Sequence, residues 1–210
     1  MSNIKLVCFD LDDTLINEIH SVMVLCKING HMNELIEIEK RENNGELSWI
    51  EADYYKAKLA KGLHIKNLKR SFLDNIKPIE NIEFVIKELK KMGIKCILIT
   101  AGPKQVAEIS SEIWGFDRYF GSDYEIMDGM FTGNILEHLG DKGKLSCLKK
   151  CCYEYGISGK ECAAVGDGSS DIPIFEFCEK SIGLNYSKAI IGKATHYLNT
   201  NNLADILEYI

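Results

Sequence analysis

No run of apolar residues in this sequence approaches the ~18 needed for a spanning helix. The N-terminus lacks the basic and then apolar layout of a secretory signal. Nor is there a basic block: 25 Lys and Arg face 31 Asp and Glu, for a net charge of −6. Non-specific nucleic-acid binding rests on basic residues neutralising phosphates, so this balance argues against it. There is no internal repeat and no low-complexity tract. With 46% apolar and 27% charged residues, the chain reads as folded rather than disordered. The expectation is a cytoplasmic protein, monomer or homodimer, with no membrane and no nucleic-acid partner. Its 210 residues suffice for one ample core, or one core plus a small second module.

The sequence also lacks a CxxC pair. It has eight cysteines, but the chain exceeds disulfide-miniprotein size and shows no export signal, which speaks against a disulfide framework. Several lie in apolar runs (VCF, KCILI, ECAAV), where Cys behaves as a small hydrophobe. Cys147 and Cys151 have helical i,i+4 spacing, but no nearby His completes a metal site. Buried thiols are the expectation.

Short, nearly continuous apolar runs suit strands buried on both faces. Three stand out: 4–9, 94–100 and 161–165. Shorter candidates cover 181–184 and 196–199. Between them lie helical patterns. Ile82, Val85, Ile86 and Leu89 follow the i, i+3, i+4, i+7 rule up to Gly93. Val106, Ile109 and Ile113 follow Pro103, placed in a first helical turn. Leu145, Leu148, Cys152 and Tyr155 share a face that Gly156 closes. Leu203, Ile206, Leu207 and Ile210 predict an amphipathic C-terminal helix. Strands alternating with helices imply an α/β class with a Rossmann-like parallel sheet flanked by helices. Residues 124–135 predict a β-hairpin around Asp128-Gly129, a dipeptide suited to a type I′ turn.

One stretch breaks the alternation. Residues 18–77 carry no convincing strand and are helical in tone. About 60 residues are too few for an independent core. The reading is a core of residues 1–17 and 78–210 with a helical cap, 18–77, inserted after the first strand.

The first strand ends in Phe9-Asp10-Leu11-Asp12-Asp13-Thr14-Leu15. Ligands of open parallel sheets bind outside the carboxyl ends of the strands. Carboxylates this close repel one another, so some are protonated or a cation neutralises them. The second strand ends at Thr100-Ala101-Gly102, the third at Gly166-Asp167-Gly168-Ser169-Ser170-Asp171. If these strands are neighbours, Asp10, Asp12, Thr100, Asp167 and Asp171 converge. Oxygen donors with surplus negative charge favour Mg²⁺, commonly bound by one or two carboxylates plus a substrate phosphate. Taken singly, Asp13, Ser169 and Ser170 also suit helix N-caps.

FDLDDTL, the strand ending in Thr100, Asp141-Lys142-Gly143 and GDGSSD together resemble the four motifs of the haloacid dehalogenase superfamily, in order and along nearly the whole chain. The helical insert and the MDGMFTG hairpin resemble its phosphoserine phosphatase group. The resemblance implies a Mg²⁺-dependent phosphomonoester hydrolase acting on a small phosphorylated substrate. Asp10 would be the nucleophile that forms an aspartyl-phosphate. Asp12 would be general acid, then base, and would lend its backbone carbonyl to the metal. Thr100 and the backbone of Ala101 and Gly102 would hold phosphate oxygens. Asp167 would ligate the metal, with Asp171 a further ligand or partner. The Lys-Gly pattern points to Lys142 rather than Lys144 as the motif-three cation.

Departures bear on the substrate. Asp13, Ala101 and Ser170 stand where the group has Ser or Thr, Gly and Asn. The group's substrate-reading Glu, nine residues after the nucleophile, falls on Ile19, with Glu18 one position short. Its carboxylate-gripping Arg aligns with Lys56, which keeps the charge but loses the bidentate fork. Glu18 and Lys56 are the candidate substrate contacts, and phosphoserine is one candidate substrate among others. A phosphotransferase would use the same residues, and a non-catalytic phosphate-binding protein is a further alternative on this fold. A dinucleotide site fails for want of G-x-G-x-x-G after the first strand. An EF-hand fails for want of Gly at loop position six. A receiver domain has no helical insert and is shorter.

Overall fold

The computed structural model describes residues 3–210. In chain order its elements are β1 (Leu6–Phe9), β2 (Ile16–Asn17), α1 (Ser21–Ile28), α2 (Met32–Asn43), α3 (Trp49–Leu59), α4 (Leu68–Leu73), β3 (Lys77–Pro78), α5 (Ile82–Lys91) and β4 (Lys95–Pro103). Then follow α6 (Lys104–Trp114), β5 (Arg118–Met127), β6 (Met130–Glu137), α7 (Gly140–Tyr155), β7 (Cys162–Gly166), α8 (Ile172–Phe177), β8 (Lys180–Leu184) and β9 (His196–Leu198). Seven strands form one sheet in the order β6-β5-β4-β1-β7-β8-β9. Among the described residues of this sheet, only the β5–β6 pair is antiparallel. The α/β, Rossmann-like expectation is borne out.

β1 lies between β4 and β7, with all four residues buried. A strand covered on both faces has no use for polar alternation, which is why it reads as an apolar run. β1 and β7 both end at their carboxyl side just before an acidic turn, and β4 ends beside them. That register brings the three motif turns to one edge of the sheet. The β5–β6 turn holds Asp128 and Gly129 at φ 51° and 76°, the two positive values a type I′ turn requires.

Four helices, α1 to α4, lie between β2 and β3, which pair antiparallel at the foot of this segment (Ile16 with Pro78, Asn17 with Lys77). Two-residue strands carry no readable period, so neither is legible in the sequence. Val24, Leu25, Ala57, Leu68 and Phe72 of these helices join the same apolar cluster as Val7, Phe9, Val85 and Leu98 of the sheet region. Only Ile38, Leu47 and Ala52 form a separate small cluster.

Two local expectations are corrected. The C-terminal segment is a 3₁₀ helix, Leu203–Glu208, not an α-helix. A three-residue repeat stacks Leu203 over Ile206 on the buried side, and Leu203 N–H donates to Glu80 O at 2.9 Å. Pro103 is the N-cap of α6, one residue ahead of the first turn. All eight cysteines are free, six of them buried. Burial pushes the Cys26 and Cys96 thiols up to about 12. Among the described residues no helix is long and apolar enough to cross a membrane.

Candidate active site

Asp10 follows β1 directly. Its N–H donates to Val165 O at 2.9 Å, continuing the ladder with β7 for one residue, and its side chain is buried. The chain then turns at Asp13, held at φ 57°, a left-handed conformation that Asp tolerates better than most residues. Thr14 reaches back across the turn and donates to Asp167 Oδ1 at 3.3 Å. The β1 and β7 loops are thus tied to each other through a threonine of the first motif.

Asp171 organises the β7 loop. Its Oδ2 accepts from the Asp167 and Gly168 N–H groups, both at 3.2 Å. A Cβ on Gly166 would lie 2.4 Å from that oxygen, so only glycine fits there. Asp10, Asp167 and Asp171 bring one carboxylate oxygen each within 4.8 Å of one another. Burial, then the charges of neighbouring carboxylates, pushes Asp167 up to about 7. Asp10 is raised well above the ordinary range, by burial first and by Asp171 next. Three oxygen-bearing acids with one compensating ammonium fit a hard divalent cation, which would remove the surplus charge.

That ammonium is Lys144, on α7. It is 1% exposed, and its Nζ lies 2.8 Å from both Asp10 Oδ1 and Asp171 Oδ1 and 3.0 Å from Ser170 Oγ. Burial acts to lower its pKa, but the charges of Asp10 and Asp171 outweigh that and hold it protonated. Lys142 is exposed. The expectation that Lys142 supplies the cation is therefore corrected: two residues on, the helix has turned about 200°, and it is Lys144 that faces the carboxylates.

Asp12 stands apart from the three. Its Oδ1 accepts from Ser21 N–H at 2.6 Å and its Oδ2 from Ser21 Oγ at 2.7 Å. Burial raises its pKa, against the opposing effects of His20 and Ser21. Thr100 Oγ1, buried, accepts from Gly102 N–H at 2.9 Å and lies 3.5 Å from Asp12 Oδ2. A Cβ on Gly102 would sit 2.1 Å from Ser21 Oγ and 3.0 Å from Asp12 Oδ2. Backbone without a side chain is what lets the start of α1 approach the motif-two turn.

One cleft joins these groups. Asp10, Asp12, Thr100, Ala101, Gly102, Lys144 and Asp167 line it on the sheet side, and Lys56 faces it from α3. Lys56 is nearly buried and pairs with Glu42 at 2.9 Å. Glu18 is corrected as a substrate contact. It is exposed, at φ 66°, and pairs with Lys77 at the foot of the helices, outside the cleft lining. The sequence reading missed His20, Glu42, Trp49, Asp53 and Tyr124, all of which line the cleft. Trp49, Asp53 and Lys56 sit at i, i+4 and i+7 of one helix, a signal that was available. Nothing local in sequence announces Glu42 or Tyr124.

A model of the haloacid dehalogenase-like hydrolases matches residues 4–177. The chain belongs to the haloacid dehalogenase-like hydrolase family. The resemblance read from the four motifs is thereby borne out, and this hydrolase has well-defined relatives. It is 29% identical over 207 residues to a phosphoserine phosphatase of Methanocaldococcus jannaschii, covering 98% of this chain and 97% of the relative. It is also 29% identical to a phosphoserine phosphatase of Archaeoglobus fulgidus, covering 96% of this chain but 58% of that protein's length. Among solved structures, a phospho-aspartyl intermediate analogue of phosphoserine phosphatase superposes with a TM-score of 0.84 at 29% identity, covering 99% of each chain. A substrate-bound phosphoserine phosphatase complex gives 0.85 at 28% identity, covering 99% of this chain and 98% of the other.

Proposed function

We propose that this hydrolase is a Mg²⁺-dependent phosphatase that cleaves a small phosphate monoester through an aspartyl-phosphate on Asp10. The observation that carries the reading is the pair Asp10 and Asp12 at the end of β1, in two different environments. Burial and Asp171 push Asp10 toward its protonated form; the Lys144 ammonium at 2.8 Å opposes that, and a bound divalent cation would complete the ionisation a nucleophile requires. Asp12 touches no cation that closely; burial favours its protonated form, as a general acid requires.

In the first transfer an Asp10 carboxylate oxygen attacks phosphorus, and the bond from phosphorus to the leaving oxygen breaks. Asp12 gives its proton to that oxygen. In the second transfer Asp12, now ionised, takes a proton from water, which attacks phosphorus and frees the Asp10 carboxylate. The Thr100 hydroxyl and the nearby backbone N–H groups hold the phosphoryl oxygens, and Lys144 offsets their charge. Asp10, Asp167 and Asp171 would hold the metal, which supplies further charge neutralisation to the phosphoryl group. The helices of residues 18–77 act as a cap that excludes water during the first transfer and reads the leaving group.

The test is phosphate release from a panel of small phosphate monoesters with Mg²⁺. Asp10→Asn, a near-isosteric change, is expected to abolish turnover and leave the far-ultraviolet dichroism unaltered. EDTA is expected to silence the wild type and Mg²⁺ to restore it. Undiminished release by Asp10→Asn would overturn the covalent route, and metal-independent turnover would overturn the role given to the three carboxylates.

A further inference from the structure

The far wall of the cleft is built by α2 and α3 and faced by β5. It presents two carboxylates, Glu42 and Asp53, against one ammonium, Lys56, with the Trp49 ring in the same lining. Lys56 is already engaged: its Nζ meets Glu42 Oε2 at 2.9 Å, with the lysine side chain 9% exposed. Asp53 Oδ2 lies 3.0 Å from His138 Nε2, a hydrogen bond that a neutral imidazole can donate.

Tyr124 supplies an independent observation. It is 3% exposed and lines the cleft, yet its hydroxyl has no hydrogen-bond partner among the described residues; its ring meets Phe131 edge-on and its backbone carbonyl accepts from Gln105. A hydroxyl in the lining of the cleft that bonds to no described residue is free to bond to what enters it. Burial first, then the charge of Asp53, holds its pKa well above the usual phenol range, so it remains a neutral hydroxyl able to accept from an N–H donor.

We propose that this wall selects phosphate monoesters whose leaving group carries an ammonium, bound by Asp53, Glu42 and the Tyr124 hydroxyl. The proposal rests on the phosphatase reading above and adds the substrate class. A leaving group bearing a carboxylate would have to compete with Glu42 for Lys56, the side chain of which is 9% exposed, and would leave the half-buried Glu42 carboxylate unpaired. An ammonium approaches the wall without breaking any pair, and the Trp49 face adds attraction for a cation.

The experiment compares kcat/KM for four monoesters: aminoethyl phosphate (an ammonium), glycerol phosphate (neutral), phosphoglycolate (a carboxylate) and phosphoserine (both). Aminoethyl phosphate is expected to lead glycerol phosphate by at least about tenfold, the scale of one hydrogen bond to a charged group, with phosphoglycolate last and phosphoserine behind aminoethyl phosphate. In Glu42→Gln and Asp53→Asn the ratio of aminoethyl to glycerol phosphate is expected to fall about tenfold, mainly through KM. The two variants lie on different helices, so a folding defect in one leaves the other to decide. Asp10-dependent release without a preference for the ammonium, or with phosphoserine or phosphoglycolate ahead, overturns this proposal and leaves the phosphatase reading standing. Asp10-dependent release from none of the four overturns both.

Discussion

Lys142 and Lys144 stand two positions apart on α7 in opposite settings. One is exposed; the other is 1% exposed and touches two carboxylates at 2.8 Å. The chemistry of the third motif was legible in sequence as a lysine. Which lysine was not, because the motif pattern fixes neighbours along the chain while helix rotation decides which side chain faces the sheet. Lys144→Met is expected to lower kcat/KM by about 10²–10³, the scale of removing one preorganised charge stabiliser. Lys142→Met should stay close to wild type. Steady-state kinetics on the same substrate checks both, and a larger loss in Lys142→Met would contradict the assignment. A second pair, His20 with Asp13 at 2.9 Å, also escaped the sequence reading. The Asp13 hydrogen bond raises His20 from 6.5 to about 9. A group whose folded pKa is raised stabilises fully below its unfolded value, and that contribution is lost as pH rises through the folded one. The contribution is therefore complete below about 6.5 and gone above about 9. An NMR titration of the His20 ring should show a midpoint near 9 that drops toward 6.5 in Asp13→Asn; a wild-type midpoint near 6.5 would mean that the pair does not form in solution.

At the scale of elements, legibility follows burial. β1, β4 and β7 are covered on both faces, so they read directly as apolar runs; the pairing of β1 with β4 and β7 meets the condition on which Asp10, Thr100 and Asp167 were expected to converge. The β5–β6 hairpin was legible for a different reason: Asp128-Gly129 carries the backbone freedom that its turn uses. The far wall of the cleft was not legible. Glu42, Asp53 and Tyr124 come from α2, α3 and β5, and no local pattern relates three elements that meet only in the fold. α3 shows how the wall is held. Ser48 and Glu51 form a reciprocal capping box at its start, one residue before Trp49. That cap fixes the helix end from which Trp49, Asp53 and Lys56 project on one face. The two-residue strands β2 and β3 are too short to carry a pattern, and at the C-terminus the pattern gave a helix but not its 3₁₀ type.

For the whole molecule, the decisive feature is that the inserted helices do not keep to themselves. Phe72 of α4 is fully buried, in one apolar cluster with Phe9 of β1 and Val106 of α6. Outside that cluster, Lys69 of α4 pairs with Glu112 of α6 at 2.8 Å, an exposed contact worth little by itself. The insert's own cluster, Ile38, Leu47 and Ala52, is too small to fold alone. Stability is therefore shared between the insert and the sheet, and the chain should melt in a single transition by calorimetry or dichroism. Phe72→Ala removes a buried ring from the shared cluster, and is expected to cost about 3–5 kcal/mol. Each kcal/mol moves the midpoint of a chain this size by about 2–4 °C, so the fall should be plain in Tm while the transition stays single. Two resolved transitions, with only the earlier one displaced by Phe72→Ala, would show that the helices of residues 18–77 unfold independently. A wall that opens independently would then hold Glu42 and Asp53 at the cleft for only part of the time, and the selectivity argued from their positions would weaken with it.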